Sequence, residues 1–243
     1  DSAIASAAAR MVTAAQGRTL IEMGSRRTHE RAAVAAARAA YLAGFDGSSN
    51  LEAQRVHGVP ALGTSAHAFT MLHTTADGPD ELAAFRAQVA ALGVGTTLLV
   101  DTYDVTTGIA NAVAAAGPGL GAVRIDSGDL AKLSKYVRGR FDAEGLPYVG
   151  ISVSNDLDEY TIQSLLDQGA PIDSFGVGTK LATCYDQPAL GGVYKLSARR
   201  ASEADPWTPV VKLSEQPYKR TIPGVQRVRR YYDGFGGPVC DMI

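Results

Sequence analysis

Short apolar segments alternate with segments of helical periodicity along most of this chain. About eight of the apolar segments have the length of strands and lie roughly 20–30 residues apart, a spacing typical of strands that are linked by helices. They cover residues 20–23, 42–45, 59–63, 97–100, 122–125, 148–153, 172–175 and 192–196. The alternation predicts an α/β fold with a parallel sheet, and 243 residues are enough for a parallel α/β barrel of roughly 250 residues.

Polar residues directly follow several of these predicted strands. In the segment GAVRIDSGDL, residues 121–130, a β-branched run contains Arg124 and is followed by Asp126, Ser127 and Asp129. The loops after the carboxyl ends of parallel strands form the binding face of α/β folds. Arg124 can therefore bind a phosphate or a carboxylate, and the aspartates can accept hydrogen bonds from sugar hydroxyls or bind Mg²⁺. The alternative is structural: a helix cap next to an ion pair of Arg124.

Other predicted strands end in a similar mixture of residues. The segment FGVGTKL, residues 175–181, predicts a phosphate-binding turn, or else a glycine-rich turn without a ligand. His67 also follows a strand and is either a nucleophile or general base, or a histidine that its neighbours satisfy. The remaining charged residues at strand ends are Arg26, Arg27, Asp101, Asp104, Lys180 and Asp156, the last being the predicted cap of a helix that extends to residue 168. Together these ends predict a site for a phosphorylated sugar and Mg²⁺.

Charge balance and cysteine content exclude several classes of protein. With 23 basic and 25 acidic residues the net charge is −2, which lacks the basic excess of nucleic-acid-binding surfaces. Cys184 and Cys240 are too few for a disulfide framework, so we expect a reducing, cytoplasmic location. No apolar run approaches the ~18 residues of a membrane span. We therefore expect neither a nucleic-acid partner nor a membrane partner.

The last part of the chain has a different composition. From residue 198 onward prolines interrupt the helical patterns, and basic and aromatic residues cluster in KRTIPGVQRVRRYYDG. We predict an α/β barrel domain over residues 1–197 and an irregular or β-rich segment over residues 198–243 that belongs to a second, incomplete domain. The chain starts at Asp1 rather than at Met, which suggests a piece of a longer protein.

Six motifs, in order along the chain, connect this sequence with one known family. They are MGSRRTHE, GTSAHAF, LLVDTYD, VRIDSGDL, SNDLDEY and FGVGTKLATCYDQPALGGVYKL. In this order they closely resemble nicotinate phosphoribosyltransferases. The resemblance implies the α/β barrel of type II phosphoribosyltransferases and the synthesis of nicotinate mononucleotide and pyrophosphate from nicotinate and phosphoribosyl pyrophosphate. It also implies Mg²⁺ as a cofactor, ATP as a co-substrate and a homodimer in the full-length protein.

The same resemblance assigns roles to individual residues. The predicted catalytic residues are Arg124, Asp126 and His67, the histidine that ATP would phosphorylate. The predicted metal ligands are Asp101 and Asp129. The predicted substrate-binding residues are Arg26, Arg27, Ser48, Ser49, Thr64, Ser127, Asp156, Gly176, Val177, Gly178 and Thr179.

Two departures from the family pattern leave alternatives open. Met23 stands where many members have an aromatic residue that stacks on the pyridine ring. The family also has an N-terminal domain that contributes to the site, and this sequence contains no match to it. A non-catalytic barrel that binds phosphate or a mononucleotide is therefore one alternative. A relative that uses nicotinamide or quinolinate is another, although Ser49 stands where nicotinamide-using relatives have an acidic residue, and this favours nicotinate.

Overall fold

The computed structural model describes residues 1–189 and 191–243, which fall into two compact units, Asp1–Ala189 and Leu190–Ile243. The first unit therefore ends upstream of the boundary predicted after residue 197. Its helices are α1 (Ser2–Ala15), α2 (Glu30–Leu42), α3 (Leu51–His57), α4 (His67–Leu72), α5 (Glu81–Leu92), α6 (Val105–Ala116), α7 (Leu130–Ala143), α8 (Glu159–Asp167) and α9 (Thr179–Ala182). None of the helices in the described residues is long and apolar enough to cross a lipid bilayer.

A parallel sheet lies at the centre of the first unit. Its strands are β1 (Thr19–Glu22), β2 (Gly47–Ser48), β5 (Thr97–Leu99), β6 (Ala122–Ile125), β7 (Gly150–Ser154) and β8 (Ser174–Val177), and a separate short hairpin pairs β3 (Thr74–Thr75) with β4 (Gly78–Pro79). The six strands lie in the order β2-β1-β8-β7-β6-β5, every neighbouring pair is parallel, and the sheet curls into a half-barrel. The predicted α/β architecture is confirmed.

Apolar side chains from neighbouring strands form the core. Leu20 of β1 lies beside Phe175 of β8, and Val123 of β6 lies beside Ile151 of β7. All four side chains are buried, and each contributes about 1.5–3 kcal/mol of hydrophobic stabilisation. Strands of a parallel sheet that is covered on both faces are largely apolar, and most polar residues of these strands lie at their ends; Arg124 in β6 and Ser152 in β7 are the interior exceptions.

Aspartates fix the starts of three successive helices. Asp104, Asp129 and Asp158 each occupy the N-cap position, and each carboxylate accepts a hydrogen bond from the backbone N–H three residues on, at the start of α6, α7 and α8. These bonds satisfy backbone donors that a helix start leaves without partners. The structural reading of strand-end aspartates as helix caps is therefore correct for Asp104 and Asp129, whereas Asp158 was not among the predicted caps.

Four local predictions were wrong. Residues 42–45 end α2 and form a turn, so that the strand starts only at Gly47. Residues 59–63 form only a single bridge, from Ser48 to Ala61, because Pro60 has no N–H to donate. Residues 192–196 form no strand, and Tyr194 among them is 95% exposed. Asp156 does not cap α8, because Asn155 and Asp156 both have positive φ angles, 113° and 46°, in a turn before the cap at Asp158.

The second unit is built from short antiparallel pairs in its described residues. One sheet pairs β9 (Ala198–Arg199) with β10 (Thr208–Pro209), and the other pairs β11 (Arg229–Tyr232) with β12 (Pro238–Met242). Arg230 and Asp241 form a bidentate ion pair across the second sheet, at 2.8 Å for both contacts. The predicted β-rich character of the tail is confirmed.

Candidate active site

A cleft of about 400 Å³ opens at the carboxyl ends of β1, β6, β7 and β8. Ten of the predicted site residues line it: Arg26, Arg27, Ser49, Thr64, Arg124, Asp126, Asp156, Gly176, Gly178 and Thr179. The other lining residues are Met23, Ser25, Ser65, Ala66, Ser154 and Asn155. The carboxyl ends of these four strands therefore meet in one place, as the parallel topology requires. The predicted site residues that do not line the cleft are Ser48, His67, Asp101, Ser127, Asp129 and Val177.

Arg124 is held in place by contacts on three sides. Its Nε donates to Ser154 Oγ at 2.9 Å, and its Nη2 lies 3.3 Å from Asp126 Oδ1. Its Nη1 donates to Thr64 Oγ1 and, at 3.3 Å, to the Ser65 carbonyl oxygen. The Arg124 side chain is only 12% exposed. A guanidinium that is fixed in this way is preorganised to bind an anion in the cleft.

Asp126 is surrounded by groups that stabilise its charge. Burial by itself would raise the pKa of Asp126, but the hydrogen bond from Ser154 Oγ, the Arg124 guanidinium and the positive charge of protonated His67 lower it below the ordinary value of 3.8. The carboxylate is therefore ionised near neutral pH and can accept hydrogen bonds from a ligand.

His67 lies next to two carboxylates at the start of α4. Its Nδ1 is 3.1 Å from Thr102 Oγ1, and its Nε2 is 3.4 Å from Asp126 Oδ2 and 3.9 Å from Asp101 Oδ1. The imidazole is 36% exposed, whereas the Asp101 side chain is 2% exposed. His67 is thus accessible from solvent while its ring is oriented by Thr102 and by the two carboxylates.

Asp101 and Ser127 extend this group of polar side chains. Asp101 Oδ2 accepts from the Asp126 backbone N–H at 2.8 Å and from Ser127 Oγ at 2.6 Å. Asp101 Oδ1 is buried and has no hydrogen-bond partner within the described part of the chain. This oxygen can accept from a further donor or bind a cation, although Asp101 is not among the residues that line the cleft.

The glycines of the FGVGTKL motif allow β8 to approach β1 closely. A Cβ atom on Gly176 would lie 2.7 Å from Met23 Sδ, and one on Gly178 would lie 3.2 Å from the Met23 carbonyl oxygen. Val177 between them is buried in the core, and its carbonyl oxygen accepts from Met23 N–H at 2.7 Å. Val177 therefore contributes its backbone, and not its side chain, to this turn.

Two basic residues and an acidic loop face the cleft from different strands. Arg26 and Arg27 lie in a 3₁₀ turn after β1, Ser25–Arg27, and both side chains are exposed. Asp156 lies in the loop after β7. Just beyond this loop, Asp158 accepts from Lys180 Nζ at 2.7 Å and so links the loop to α9.

Ser48 and Ser49 differ in their surroundings. Ser49 lines the cleft, whereas Ser48 is fully buried and its Oγ donates to Glu22 Oε2 at 2.6 Å. Burial raises the pKa of Glu22, although the hydrogen bonds from Ser48 and from the Gly24 N–H counteract part of this effect. The sequence analysis missed Glu22, and the available signal was a single carboxylate within the apolar run at residues 20–23.

The two predicted metal ligands also differ. Asp129 Oδ1 caps α7 by accepting from Lys132 N–H at 3.0 Å, whereas Asp101 keeps one oxygen without a partner. Among the residues that the structure describes, no group of three or more His, Cys, Asp or Glu side chains is arranged to hold a metal ion. Ser154 and Asn155 are further cleft residues that the sequence analysis did not select, although the motif SNDLDEY contains both.

Comparison with known proteins identifies the family. Residues 19–233 match the nicotinate phosphoribosyltransferase (NAPRTase) family. The chain belongs to this family. The resemblance that the six motifs predicted is confirmed, and it extends over both structural units.

Individual nicotinate phosphoribosyltransferases match the chain at high identity. Nicotinate phosphoribosyltransferase pncB1 of Mycobacterium tuberculosis is 67% identical over 199 residues, which cover 81% of this chain and 44% of that protein. The nicotinate phosphoribosyltransferase of Bacillus subtilis is 42% identical over 234 residues, which cover 93% of this chain and 46% of that protein. The crystal structure of human nicotinic acid phosphoribosyltransferase matches with a TM-score of 0.71 at 27% identity and covers 98% of this chain and 54% of the human chain. The chain thus spans about half the length of these relatives.

Proposed function

We propose that this chain forms the barrel part of a nicotinate phosphoribosyltransferase and contains most of its substrate site. The reaction joins nicotinate to phosphoribosyl pyrophosphate and gives nicotinate mononucleotide and pyrophosphate, with coupled hydrolysis of ATP. The observation that supports this most strongly is the pair Arg124 and Asp126 in one cleft, with His67 Nε2 3.4 Å from Asp126 Oδ2, in a chain 67% identical over 199 residues to a protein of that name.

Different parts of the cleft suit different parts of the substrates. The turn at residues 176–179 offers backbone N–H groups and the Thr179 hydroxyl to the 5′-phosphate. Asp126 and Asp156 can accept hydrogen bonds from ribose hydroxyls, with Ser127 and Thr64 as nearby donors. Arg26, Arg27 and Ser49 would bind the pyridine carboxylate.

The chemical step demands positioning and charge stabilisation from the protein. The pyridine nitrogen attacks C1′ as the bond from C1′ to the pyrophosphate oxygen breaks, so positive charge develops on the ribose ring and negative charge on the leaving group. Asp126 stabilises the first charge and Arg124 the second, because both side chains are held in fixed positions before the substrate binds.

We propose His67 as the residue that ATP phosphorylates. Its partly exposed imidazole is accessible to the γ-phosphate, and Thr102 and Asp126 fix the orientation of the ring. A phosphoryl group on His67 would add negative charge beside the pyrophosphate region. Phosphorylation of His67 would then couple ATP hydrolysis to the transfer reaction through this added charge and through its effect on the position of the bound pyrophosphate.

Mg²⁺ fits the donor set at Asp101. Mg²⁺ in phosphate-handling sites binds through one or two carboxylates together with substrate oxygens, so a complete protein cage is not required. The buried Oδ1 of Asp101 without a partner is such an oxygen, and Asp129 is the second proposed ligand. When bound, the ion would neutralise the charge of pyrophosphate.

Ser49 is the proposed determinant of the pyridine substrate. A serine hydroxyl can donate to the nicotinate carboxylate, whereas an aspartate would repel it and accept from an amide. We therefore expect Ser49→Asp to shift use from nicotinate towards nicotinamide in parallel assays with both pyridines. An unchanged preference would contradict the role of Ser49.

The decisive experiment is formation of nicotinate mononucleotide from nicotinate, phosphoribosyl pyrophosphate and Mg²⁺, with and without ATP. The 243-residue chain should be compared with a protein that includes the full length of its relatives. Product from either form supports the proposal, and product from the longer form alone assigns an essential part of the site to residues outside this chain. Tight binding of the mononucleotide without product from either form would favour the alternative of a non-catalytic barrel.

Two further proposals follow from the same resemblance. The full-length protein is a homodimer, which sedimentation analysis would test. The location is the cytoplasm, because both cysteines, Cys184 and Cys240, are free and a reducing compartment maintains free thiols.

A further inference from the structure

Glu22 is a buried carboxylate at the end of β1 that the proposed chemistry does not use. Its side chain has no solvent exposure. Burial of a carboxylate without hydrogen bonds is costly, so its partners reveal what it stabilises. Both of its oxygens accept hydrogen bonds, and the two donors come from different loops at the edge of the cleft.

One donor belongs to the turn that contains the basic residues. The Gly24 N–H donates to Glu22 Oε1 at 2.5 Å. Gly24 cannot be replaced by a residue with a side chain, because a Cβ atom at this position would clash with Ala182 Cβ and would lie 2.9 Å from the Gly178 carbonyl oxygen. Glu22 therefore fixes the start of the turn that presents Arg26 and Arg27 to the cleft.

The other donor belongs to the loop that contains Ser49. Ser48 Oγ donates to Glu22 Oε2 at 2.6 Å and accepts from the Asn50 N–H at 2.9 Å. The Ser49 N–H in turn donates to the Glu22 carbonyl oxygen at 2.9 Å. The loop is thus bonded to the Glu22 side chain through the Ser48 hydroxyl and to the Glu22 backbone through the Ser49 N–H.

A second hydrogen bond joins the same two segments directly. Asn50 Nδ2 donates to Ser25 Oγ at 2.9 Å, while Asn50 Oδ1 caps α3. The turn at residues 24–27 and the loop at residues 48–50 are therefore joined by one network with Glu22 at its buried end.

We propose that Glu22 is a positioning residue that holds the turn at residues 24–27 and the loop at residues 48–50 together, and thereby sets the affinity for the pyridine carboxylate. The identity of this ligand rests on the proposed function. A carboxylate is required because both donors are fixed. The Gly24 donor is a backbone N–H, and the Ser48 hydroxyl is oriented by the hydrogen bond that it accepts from the Asn50 N–H. Glutamine offers one acceptor oxygen and would place an NH₂ group against the other donor.

Glu22→Gln and Ser48→Ala test this inference, with Asp173→Asn as a matched control. Asp173 also links two strands, because its Oδ2 accepts from the Ile151 N–H at 2.8 Å, but it lies at the opposite end of the sheet from the cleft. Hydrogen exchange measured by mass spectrometry on the 243-residue chain should be faster at residues 24–27 and 48–50 in both test variants. Exchange in these segments should be unchanged in the control.

Ligand binding supplies the second readout. Nicotinate mononucleotide contains the pyridine carboxylate, whereas ribose 5-phosphate lacks it. In Glu22→Gln and Ser48→Ala we expect the dissociation constant for the mononucleotide to rise roughly 10-fold or more, and that for ribose 5-phosphate to change less than about twofold. An equal loss for both ligands, or unchanged exchange at residues 48–50, would overturn the inference. If neither the 243-residue chain nor the full-length protein binds either ligand, the proposed function fails, and the exchange data alone then decide whether Glu22 couples the two segments.

Discussion

Asp158 performs two separable structural functions beside the cleft, and substitution can measure each one. Its Oδ1 accepts from the Thr161 N–H at 2.8 Å and caps α8, and its Oδ2 accepts from Lys180 Nζ at 2.7 Å. Asparagine is as good an N-cap as aspartate but has no charge, whereas alanine provides neither function. Asp158→Asn should therefore remove the ion pair alone, and Asp158→Ala should remove both contributions.

The structure gives the expected size of each effect. Loss of a helix N-cap costs about 1 kcal/mol. The ion pair contributes about 1 kcal/mol, at the upper end for exposed pairs, because its side chains are only 18% and 29% exposed. For a unit of this size each kcal/mol lowers Tm by roughly 2–4 °C, so we expect a decrease of about 4–8 °C for Asp158→Ala and about half of that for Asp158→Asn.

The pH dependence of these differences has a definite sign. Burial would raise the pKa of Asp158, but the hydrogen bonds from Lys180 and Thr161 lower it below 3.8 in the folded state, and Asp158 raises the pKa of Lys180 above 10.5. The ion pair therefore stabilises the fold fully between about pH 5 and pH 9, and this contribution disappears as the pH falls below 3.8 through the folded-state pKa of Asp158.

Calorimetric unfolding of the wild type and both variants at pH 7 and pH 3 checks the argument. The difference between wild type and Asp158→Asn should be present at pH 7 and should shrink at pH 3. If Asp158→Asn and Asp158→Ala lower Tm equally, the cap contributes nothing. If the difference between wild type and Asp158→Asn does not depend on pH, the ion pair is not its cause.

Three further predictions concern the cleft and the packing of the sheet. Arg124→Lys should weaken binding of nicotinate mononucleotide in calorimetry at least about 10-fold, because an ammonium cannot reproduce the guanidinium fork. His67→Ala should abolish stimulation by ATP while uncoupled product formation partly persists, and an unchanged ATP effect would contradict the role of His67. Gly108→Ala should lower stability by about 1–3 kcal/mol in urea unfolding, because its Cβ would lie 2.2 Å from the Val100 carbonyl oxygen. Its control, Gly139→Ala in α7, has nothing within 4 Å and should stabilise the helix by up to about 1 kcal/mol.

Local signals in the sequence were sufficient where the partner of a residue is close in the chain. Helices α6 and α7 begin directly after Asp104 and Asp129, whose carboxylates cap them through backbone N–H groups three residues on. Apolar content misled the prediction at residues 192–196, where Tyr194 is almost fully exposed. A run of apolar residues forms a strand only where another strand is available to pair with it, and the sequence does not contain that information locally.

The missed residues depend on contacts that are distant in the sequence. Glu22 bonds to Ser48, which lies 26 residues away, and Ser154 connects to Arg124, which lies 30 residues away. The residue types of Glu22 and Ser154 are ordinary, and only the strand order β2-β1-β8-β7-β6 brings their partners together. The sequence could therefore predict which strand ends meet, but not which buried side chains hold them in position.

The position of an aspartate within its loop separates structural from functional candidates in this fold. Asp104, Asp129 and Asp158 each immediately precede a helix and cap it. Asp101 and Asp126 instead lie within two residues of a strand end, and both carboxylates are directed towards His67. A carboxylate at a helix start is used by the backbone donors of that helix, whereas Asp101 and Asp126 each direct one oxygen at His67, although Asp101 Oδ2 also accepts from the Asp126 backbone N–H. Of the two predicted metal ligands, Asp101 has the stronger structural support, because its Oδ1 is buried without a hydrogen-bond partner among the described residues, whereas Asp129 is exposed and caps α7.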